Sequence, residues 1–408
     1  MKQEMKPAHF SVLADAVNNC YDCGAKATVT VGIEEEGRTP DGPVEAWVDD
    51  GWTNVVWQRQ VDMAQEATFT MDLSRTTPGT LRIHLRGKGM CDRLDRVVFG
   101  VGEIRPLTPC PDDFEEYWRG ERKRLERETP LGLEKTLVPK MCSDSYDGYY
   151  VSVATFDGGR IYGILTIPKK EGKHPVCVIV PGAGAGQTVP EDGLASQGWV
   201  TLVMNIHGFP IAATSEEQKA RYNAWREALA KRSGEPTYQR YGFAEGRELP
   251  IYHNSILGMV RMLDWLAEER YADAARFVYR GGSQGGGYGL YLTGMWGRFA
   301  KSLICFPNMC DMLAYREGRQ PGSVHIMEQT PQHRPAAEQT GPYYDTCNFA
   351  RLIHSPVRMV HGLSDDNCHT EGGIAAFNSI ASQDKQLLLL PGVGHRWVKN
   401  GFEQWVFE

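Results

Sequence analysis

Between residues 10 and 105, apolar and polar positions alternate in short runs, at 27–33, 44–48, 55–60, 67–73, 80–85 and 96–101. Clusters of Gly, Pro and Asp such as Thr39-Pro40-Asp41-Gly42 separate them. Strands this short, at roughly ten-residue spacing, predict a small all-β sandwich over residues 1–105, immunoglobulin-like in its strand count. Nothing in it resembles a chemical site. A packing or oligomerisation module is preferred to a carbohydrate-binding one.

Three prolines in Arg105-Pro106-Leu107-Thr108-Pro109-Cys110-Pro111 then stiffen the chain in extended form. Asp112 is the expected cap of an amphipathic helix over 113–128, with Phe114, Tyr117, Trp118 and Leu125 on one side. A hairpin of 149–156 and 160–167 follows, turning at Asp157-Gly158-Gly159. Beyond it, apolar strands at 176–180, 201–205, 277–279, 302–306, 357–360 and 386–390 are interspersed with helices at 255–269 and 284–296. Continuous apolar strands covered by helices predict a doubly wound, mostly parallel α/β sheet over residues 106–408. Residues 211–249 form an insertion after a strand end, with Ser215 and Gln218 at capping-box spacing and with Tyr222, Trp225, Tyr238, Tyr241 and Phe243. An aromatic lid and a packed helical excursion both fit it.

Composition narrows the class. The 408 residues, 41% hydrophobic and 23% charged, suit a globular chain longer than one common-sized domain. A net charge of −7, with no basic stripe, argues against a nucleic-acid partner. No apolar run reaches the roughly 18 residues of a bilayer span, so a soluble body with no membrane partner is expected. Residues 1–12 have basic residues but no apolar stretch behind them, so no signal peptide is visible. A chain from which a leader had been removed would look the same. The ten cysteines are scattered, as in a reduced compartment or among buried small hydrophobes. Cys20-x-x-Cys23 lacks a second ligand pair or a following helix, so it reads as loop cysteines and no metal is expected.

The chemistry concentrates at Tyr279-Arg280-Gly281-Gly282-Ser283-Gln284-Gly285-Gly286-Gly287. Gly-x-Ser-x-Gly between a strand and a helix is the nucleophile elbow of the α/β-hydrolase fold. The serine sits in a strained turn, and Gly281 and Gly285 leave clearance for the adjoining strand and helix. A serine hydroxyl needs a base, and the base an orienting carboxylate, in the chain order Ser, Asp or Glu, His. Asp365, with Asp366 beside it, follows the strand at 357–360. His395 follows the last strand through Pro391-Gly392-Val393-Gly394. His369 is its main rival, while His361, His354 and His333 also compete. Backbone N–H groups of Gln284, at the helix start, and of Ala183, in Pro181-Gly182-Ala183-Gly184-Ala185-Gly186, are the oxyanion candidates. Read as a dinucleotide loop, the same glycines fail: position 187 is Gln, and Asn205 stands where an acid belongs. No cofactor is expected.

With these residues placed, 112–408 resembles the acetyl xylan esterase and cephalosporin C deacetylase family. The matching stretches are Pro111-Asp112-Asp113-Phe114-x-x-Tyr117-Trp118, the Gly-Gly-Ser-Gln-Gly-Gly elbow, Tyr344-Asp345-x-x-Asn348-Phe349-Ala350, Pro356-Val357, Gly362-Leu363-x-Asp365 and Ala375-Ala376-Phe377-Asn378. The resemblance implies that Asp365 rather than Asp366 is the acid and that His395 is the base. It also implies deacetylation of O-acetylated xylan or xylo-oligosaccharides through an acyl-enzyme, without a metal. Substrate-binding candidates are His207, Tyr241 and Pro307. The chain departs from the family at His207-Gly208-Phe209, where an Arg-Gly-Gln segment is usual, and at His395-Arg396, where a His-Glu pair is usual. These departures bear on the acyl pocket and on the family's hexamer contacts, and whether this chain forms a homo-oligomer stays open. Enzymes acting on plant polysaccharides are often exported, which favours a periplasmic or secreted setting if a leader was removed. Two rival readings remain: a serine hydrolase of another ester or amide, such as a glucuronoyl ester or a peptide, and a non-catalytic carbohydrate-binding protein.

Overall fold

The computed structural model describes residues 7–35, 37–186, 188–235 and 237–408. Gln187 and residues 1–6, which entered the readings above, lie outside it. The N-terminal strands are β1 (Phe10–Ala14), β2 (Cys20–Tyr21), β3 (Lys26–Ile33), β4 (Val44–Asp49), β5 (Val55–Val61), β6 (Phe69–Ser74), β7 (Gly79–Arg86) and β8 (Arg93–Phe99). They form a three-stranded sheet, β1-β3-β6, and a five-stranded sheet, β2-β8-β7-β4-β5. All the pairings are antiparallel except the short β2–β8 contact. In β6, buried Phe69, Met71 and Leu73 alternate with exposed Thr70, Asp72 and Ser74, the period of a half-buried strand. Phe10, Val29, Val31, Val48, Ile83, Val97 and Phe99 fill the space between the sheets. The last predicted strand ends two residues early, because Gly100 turns left-handed at φ 60°. The first two strands escaped the pattern, one being only two residues long.

The remainder contains α1 (Phe114–Glu128), β9 (Glu134–Leu137), β10 (Tyr146–Ala154), β11 (Arg160–Pro168), β12 (His174–Val180), α2 (Asp192–Ser196), β13 (Val200–Asn205), α3 (Ser215–Ser233), α4 (Ile251–Glu268), β14 (Ala272–Gly282) and α5 (Gln284–Trp296). It ends with β15 (Lys301–Cys305), α6 (Arg334–Thr340), α7 (Thr346–Ala350), β16 (Val357–Gly362), α8 (Thr370–Ser379), β17 (Lys385–Leu390) and α9 (Gly401–Phe407). The nine strands are ordered β17-β16-β15-β14-β12-β13-β11-β10-β9. Pairing is parallel from β13 through β12 to β17 and antiparallel from β13 to β9. Both faces are covered. Val176, Val178 and Val180 of β12 join α1, α4 and α5 on one side, and Cys177 joins Leu194 of α2 and Val406 of α9 on the other. That double burial is why these strands read as continuous apolar runs.

Local signals needed two corrections. Helix α1 starts at Phe114, so the cap position is Asp113 and not the expected Asp112, and it gives no side-chain cap because the Asp113 carboxylate is taken by Tyr343 and Arg247. The cap of α3 is Thr214, whose hydroxyl accepts Glu217 N–H at 3.2 Å, while Glu217 takes the N–H of Ala213. The Ser215/Gln218 pair has the same spacing one residue later, but Gln218 instead accepts from Ala212 N–H. Several motif residues behind the family resemblance are structural. Buried Asp345 accepts the N–H groups of Asp311, Met312 and Cys347, and Asn348 ties the Pro109 and Pro342 carbonyls.

Candidate active site

The parallel strands deliver their C-terminal ends to one edge of the sheet, where ligands of open α/β sheets bind. Ser283 stands between β14 and α5 with φ 60° and ψ −124°, a left-handed turn for a residue with a side chain. The turn closes only because its neighbours are glycines. A Cβ on Gly281 would lie 2.6 Å from the Gly285 carbonyl oxygen, and one on Gly285 would lie 2.0 Å from that of Val180. Ser283 N–H donates to the Cys305 carbonyl at 3.1 Å, which fastens the strained residue to β15.

The loop after β17 turns left-handed at Gly392 and swings His395 over the elbow. His395 Nε2 is 3.0 Å from Ser283 Oγ, and its Nδ1 is 2.9 Å from Asp365 Oδ2. The fully buried Asp365 carboxylate also accepts the N–H groups of Asn367 and Cys368, each at 2.9 Å. Burial works against its charge, yet the His395 bond, the nearby His361 ring and the Cys368 N–H hold this carboxyl below its ordinary value. A carboxylate, an imidazole and a hydroxyl in line can pass a proton from the serine to the histidine as the oxygen attacks a carbonyl.

The neighbours separate the rivals. Asp366 is exposed and faces Arg96 at 3.4 Å and Arg82 at 3.5 Å, away from the imidazole. His361 is wholly buried, with Nδ1 3.3 Å from the Gly362 carbonyl. His369 lies 4.0 Å from Asp366, and burial, with Arg96 and His325 nearby, pushes its ring down to about 3. His333 and His354 are exposed.

The other sequence candidates fall in different surroundings. Gln284, the first residue of α5, is buried, and its Oε1 accepts from Tyr238 OH at 3.0 Å. The Gly182–Ala183 turn passes beside the serine, since a Cβ on Gly182 would be 3.8 Å from Ser283 Cβ. His207 is 3% exposed inside a cluster of Phe209, Tyr222, Trp225 and Tyr238. Neither of its ring nitrogens meets a partner among the described residues, and burial lowers the ring to about 4, so it is neutral at pH 7. The insertion is therefore a packed excursion that touches the site through Tyr238. Tyr241 lines a cavity of about 340 Å³ with Phe156, Trp225 and Leu249, and no member of the Ser–His–Asp line is among its walls. Pro307 packs on the start of α5, 2.9 Å from where a Gly286 Cβ would be.

Three neighbours of the site were missed by the sequence reading. Phe306 stands edge-on to His395 at 5.0 Å and to Trp397 at 6.3 Å. A Cβ on Gly282 would come within 2.9 Å of Phe306 and 3.3 Å of Trp397, so these rings wall one side of the elbow. Cys368 is buried beside Ser283, and burial raises its thiol far above the ordinary value, leaving it neutral rather than a rival nucleophile. The only sequence signal for these was position: just after β15, two residues past His395, and three past Asp365. All ten cysteines are free thiols. Among the described residues, no cluster of three or more His, Cys, Asp or Glu is arranged to hold a metal ion, and no helix is long and apolar enough to cross a membrane.

Residues 100–407 match the family model for acetyl xylan esterase. The acetyl esterase Axe7A of Xylanibacter ruminicola is 30% identical over 324 residues, which span 78% of this chain and 71% of that protein. The acetyl xylan esterase of Paenibacillus sp. R4 superposes with a TM-score of 0.62 at 25% identity, over 75% of this chain and 96% of that one. Acetyl xylan esterase 1 of Thermoanaerobacterium sp. JW/SL YS485 gives a TM-score of 0.60 at 21% identity, over 75% and 95%, a likeness of fold. The matched region of the family model begins at residue 100, after the last sandwich strand.

Proposed function

The chain belongs to the acetyl xylan esterase family, and from that premise we propose that it removes acetyl groups from O-acetylated xylan or xylo-oligosaccharides with Ser283, His395 and Asp365 as its triad. It is a carboxylic ester hydrolase, an acetyl esterase. The reading of the site rests on one observation, the unbroken line from Asp365 through His395 to Ser283 with contacts of 2.9 and 3.0 Å.

In this reading the Ser283 Oγ–H proton moves to His395 Nε2 as Oγ bonds to the acetyl carbon. The tetrahedral oxyanion takes the N–H groups of Gln284 and Ala183. His395 then gives its proton to the departing sugar oxygen, leaving an acetyl ester on Ser283. Water, deprotonated by the same nitrogen, attacks that ester; acetate leaves, and the proton returns to Oγ. Asp365 holds the imidazole in the tautomer with hydrogen on Nδ1 and stabilises its protonated form. Tyr238 supports the oxyanion residue by bonding the Gln284 side chain. Pro307 seats the start of α5 behind it, whereas His207 and Tyr241 act at a remove, the first as packing behind Tyr238 and the second at the neighbouring cavity. The sandwich over residues 1–105 is taken as a separate domain from the catalytic 106–408.

A Ser283→Ala variant tests the assignment. Its turnover of 4-nitrophenyl acetate and of acetylated xylo-oligosaccharides should fall by about a million-fold, with loss of fluorophosphonate labelling. Near-normal cleavage by that variant would exclude Ser283. Faster cleavage of glucuronoyl esters or peptides than of acetyl esters by the wild type would move the substrate class.

A further inference from the structure

The N-terminal sandwich lies outside the region matched by the family model, yet one of its strands reaches the loops that carry two triad residues. Along β8, Val97 and Phe99 enter the sandwich core while Val98 enters the core around the main sheet, so the strand is shared between the two. Arg96, on the same parity as Val98, is 2% exposed. Its guanidinium donates to the Leu363 carbonyl at 2.6 Å and to Asp366 at 3.4 Å, both within two residues of Asp365. Asp95, fully buried, pairs with Arg93 at 3.4 Å, and the Arg93 guanidinium lies against Gly392, three residues before His395, where a Cβ would be 2.5 Å away.

Further contacts come from β7. Buried Glu371, at the start of α8, accepts Thr80 N–H at 2.5 Å. Arg82, held by Asp49 at 2.8 and 2.9 Å, donates to Gln320 at 3.0 Å. The two gripped loops are also tied to each other: Leu363 N–H donates to the Leu390 carbonyl and Ser364 N–H to that of Val393, each at 2.9 Å.

We propose that the sandwich forms the rear wall of the active site, with Arg96 and Asp95 as positioning residues that hold the acid loop and the base loop in register. The inference rests on the triad reading above. An arginine with nearly all its surface buried and its donors spent on a backbone carbonyl and a neighbouring carboxylate fixes that carbonyl's place more tightly than packing alone. Misplacing a reacting group by about 1 Å can cost about a hundredfold in rate. The sandwich thereby becomes part of the catalytic apparatus.

The test uses the full chain and 4-nitrophenyl acetate, with active sites counted by fluorophosphonate titration so that kcat is expressed per competent site. Arg96→Met should lower kcat about tenfold to a hundredfold with KM changed less than about threefold, and Arg96→Lys, which restores a charged donor, should recover most of the loss. A purely structural role would reduce the number of competent sites and leave kcat per site unchanged; that result overturns the proposal, as does failure of the lysine to rescue. If Arg96→Met does not fold, Asp95→Asn takes its place. It should speed hydrogen exchange in the loop around Gly392 and lower kcat per site, and faster exchange with undiminished kcat would overturn the proposal. Lys26→Ala, at an exposed ion pair on the outlying sheet, should leave kcat intact; an equal loss there would also count against β8. An inactive wild type would instead bring down the hydrolase reading.

Discussion

Replacing Asp365 by Asn changes one atom, and its surroundings dictate how the amide must sit. Asp365 Oδ1 accepts two backbone N–H groups, from Asn367 and Cys368, each at 2.9 Å. Oδ2 stands 2.9 Å from His395 Nδ1. An amide NH₂ at the first position would face two donors in a buried site, leaving them unsatisfied at about 1–3 kcal/mol each. The asparagine therefore keeps its oxygen there and turns its NH₂ toward His395. Nδ1 lies closer to that NH₂ position (2.9 Å) than to the retained oxygen at Oδ1 (3.2 Å), so it accepts, the ring hydrogen moves to Nε2, and the nitrogen facing Ser283 Oγ at 3.0 Å can no longer take a proton. The same change in a serine-protease triad lowers kcat by about ten-thousand-fold, or roughly 5.5 kcal/mol of transition-state stabilisation. We expect a loss of kcat on 4-nitrophenyl acetate of about a thousand- to ten-thousand-fold, with a thermal midpoint near that of the wild type. The assay is steady-state hydrolysis at pH 7–8 alongside a melting curve. A folded Asp365→Asn enzyme within tenfold of wild-type kcat would refute the tautomer argument.

Two further outcomes follow from the geometry. Gly285→Ala places a methyl 2.0 Å from the Val180 carbonyl oxygen, a backbone atom that cannot swing aside, so β12 and α5 must part; fluorophosphonate labelling should slow at least a hundredfold and the melting temperature should drop by several degrees, and normal labelling would contradict it. Acid should destabilise the fold through His207. Its ring titrates at about 4 when folded against an ordinary 6.5, so below pH 6.5 the unfolded chain takes up a proton that the folded chain refuses. Stability is complete above pH 6.5 and falls by roughly 1.4 kcal/mol per unit of acidification, about 3 kcal/mol by pH 4. Urea midpoints for the wild type and His207→Phe between pH 7 and 4.5 should diverge in slope, and parallel slopes would reject the assignment.

Much of the site was legible because its geometry is local. The elbow requires glycine on either side of Ser283, and the collisions that a Cβ would meet at Gly281 and Gly285 are the reason the motif is written as it is. Asp365 and His395 each follow a strand by a few residues, so chain order and strand ends were enough to nominate them. The helix at 284–296 appears with the predicted bounds, its start set by the elbow and its end by left-handed Gly297. Legibility failed where partners are distant in sequence. Arg96 and Leu363 are 267 residues apart, and nothing near Arg96 in the chain advertises a buried guanidinium. Phe306 and Trp397 read as ordinary apolar residues until two loops bring them beside His395. The choice of Asp365 over Asp366 rested on the resemblance alone, through Gly362-Leu363-x-Asp365, because spacing does not separate adjacent carboxylates; what each one faces does.

The sequence by itself determined the alternation of buried strands and helices and the strained serine corner, because each depends on residues a few positions apart whose spacing matches a helix, strand or turn period, while the hydrolase family was legible only through the resemblance of whole motif stretches. Tertiary structure decided what each of the two adjacent carboxylates faces, which aromatic rings wall the serine, and that strand β8 of an all-β sandwich contacts the loops carrying Asp365 and His395. Those facts depend on contacts between segments brought together by burial of the shared core, and such contacts have no period to read along the chain.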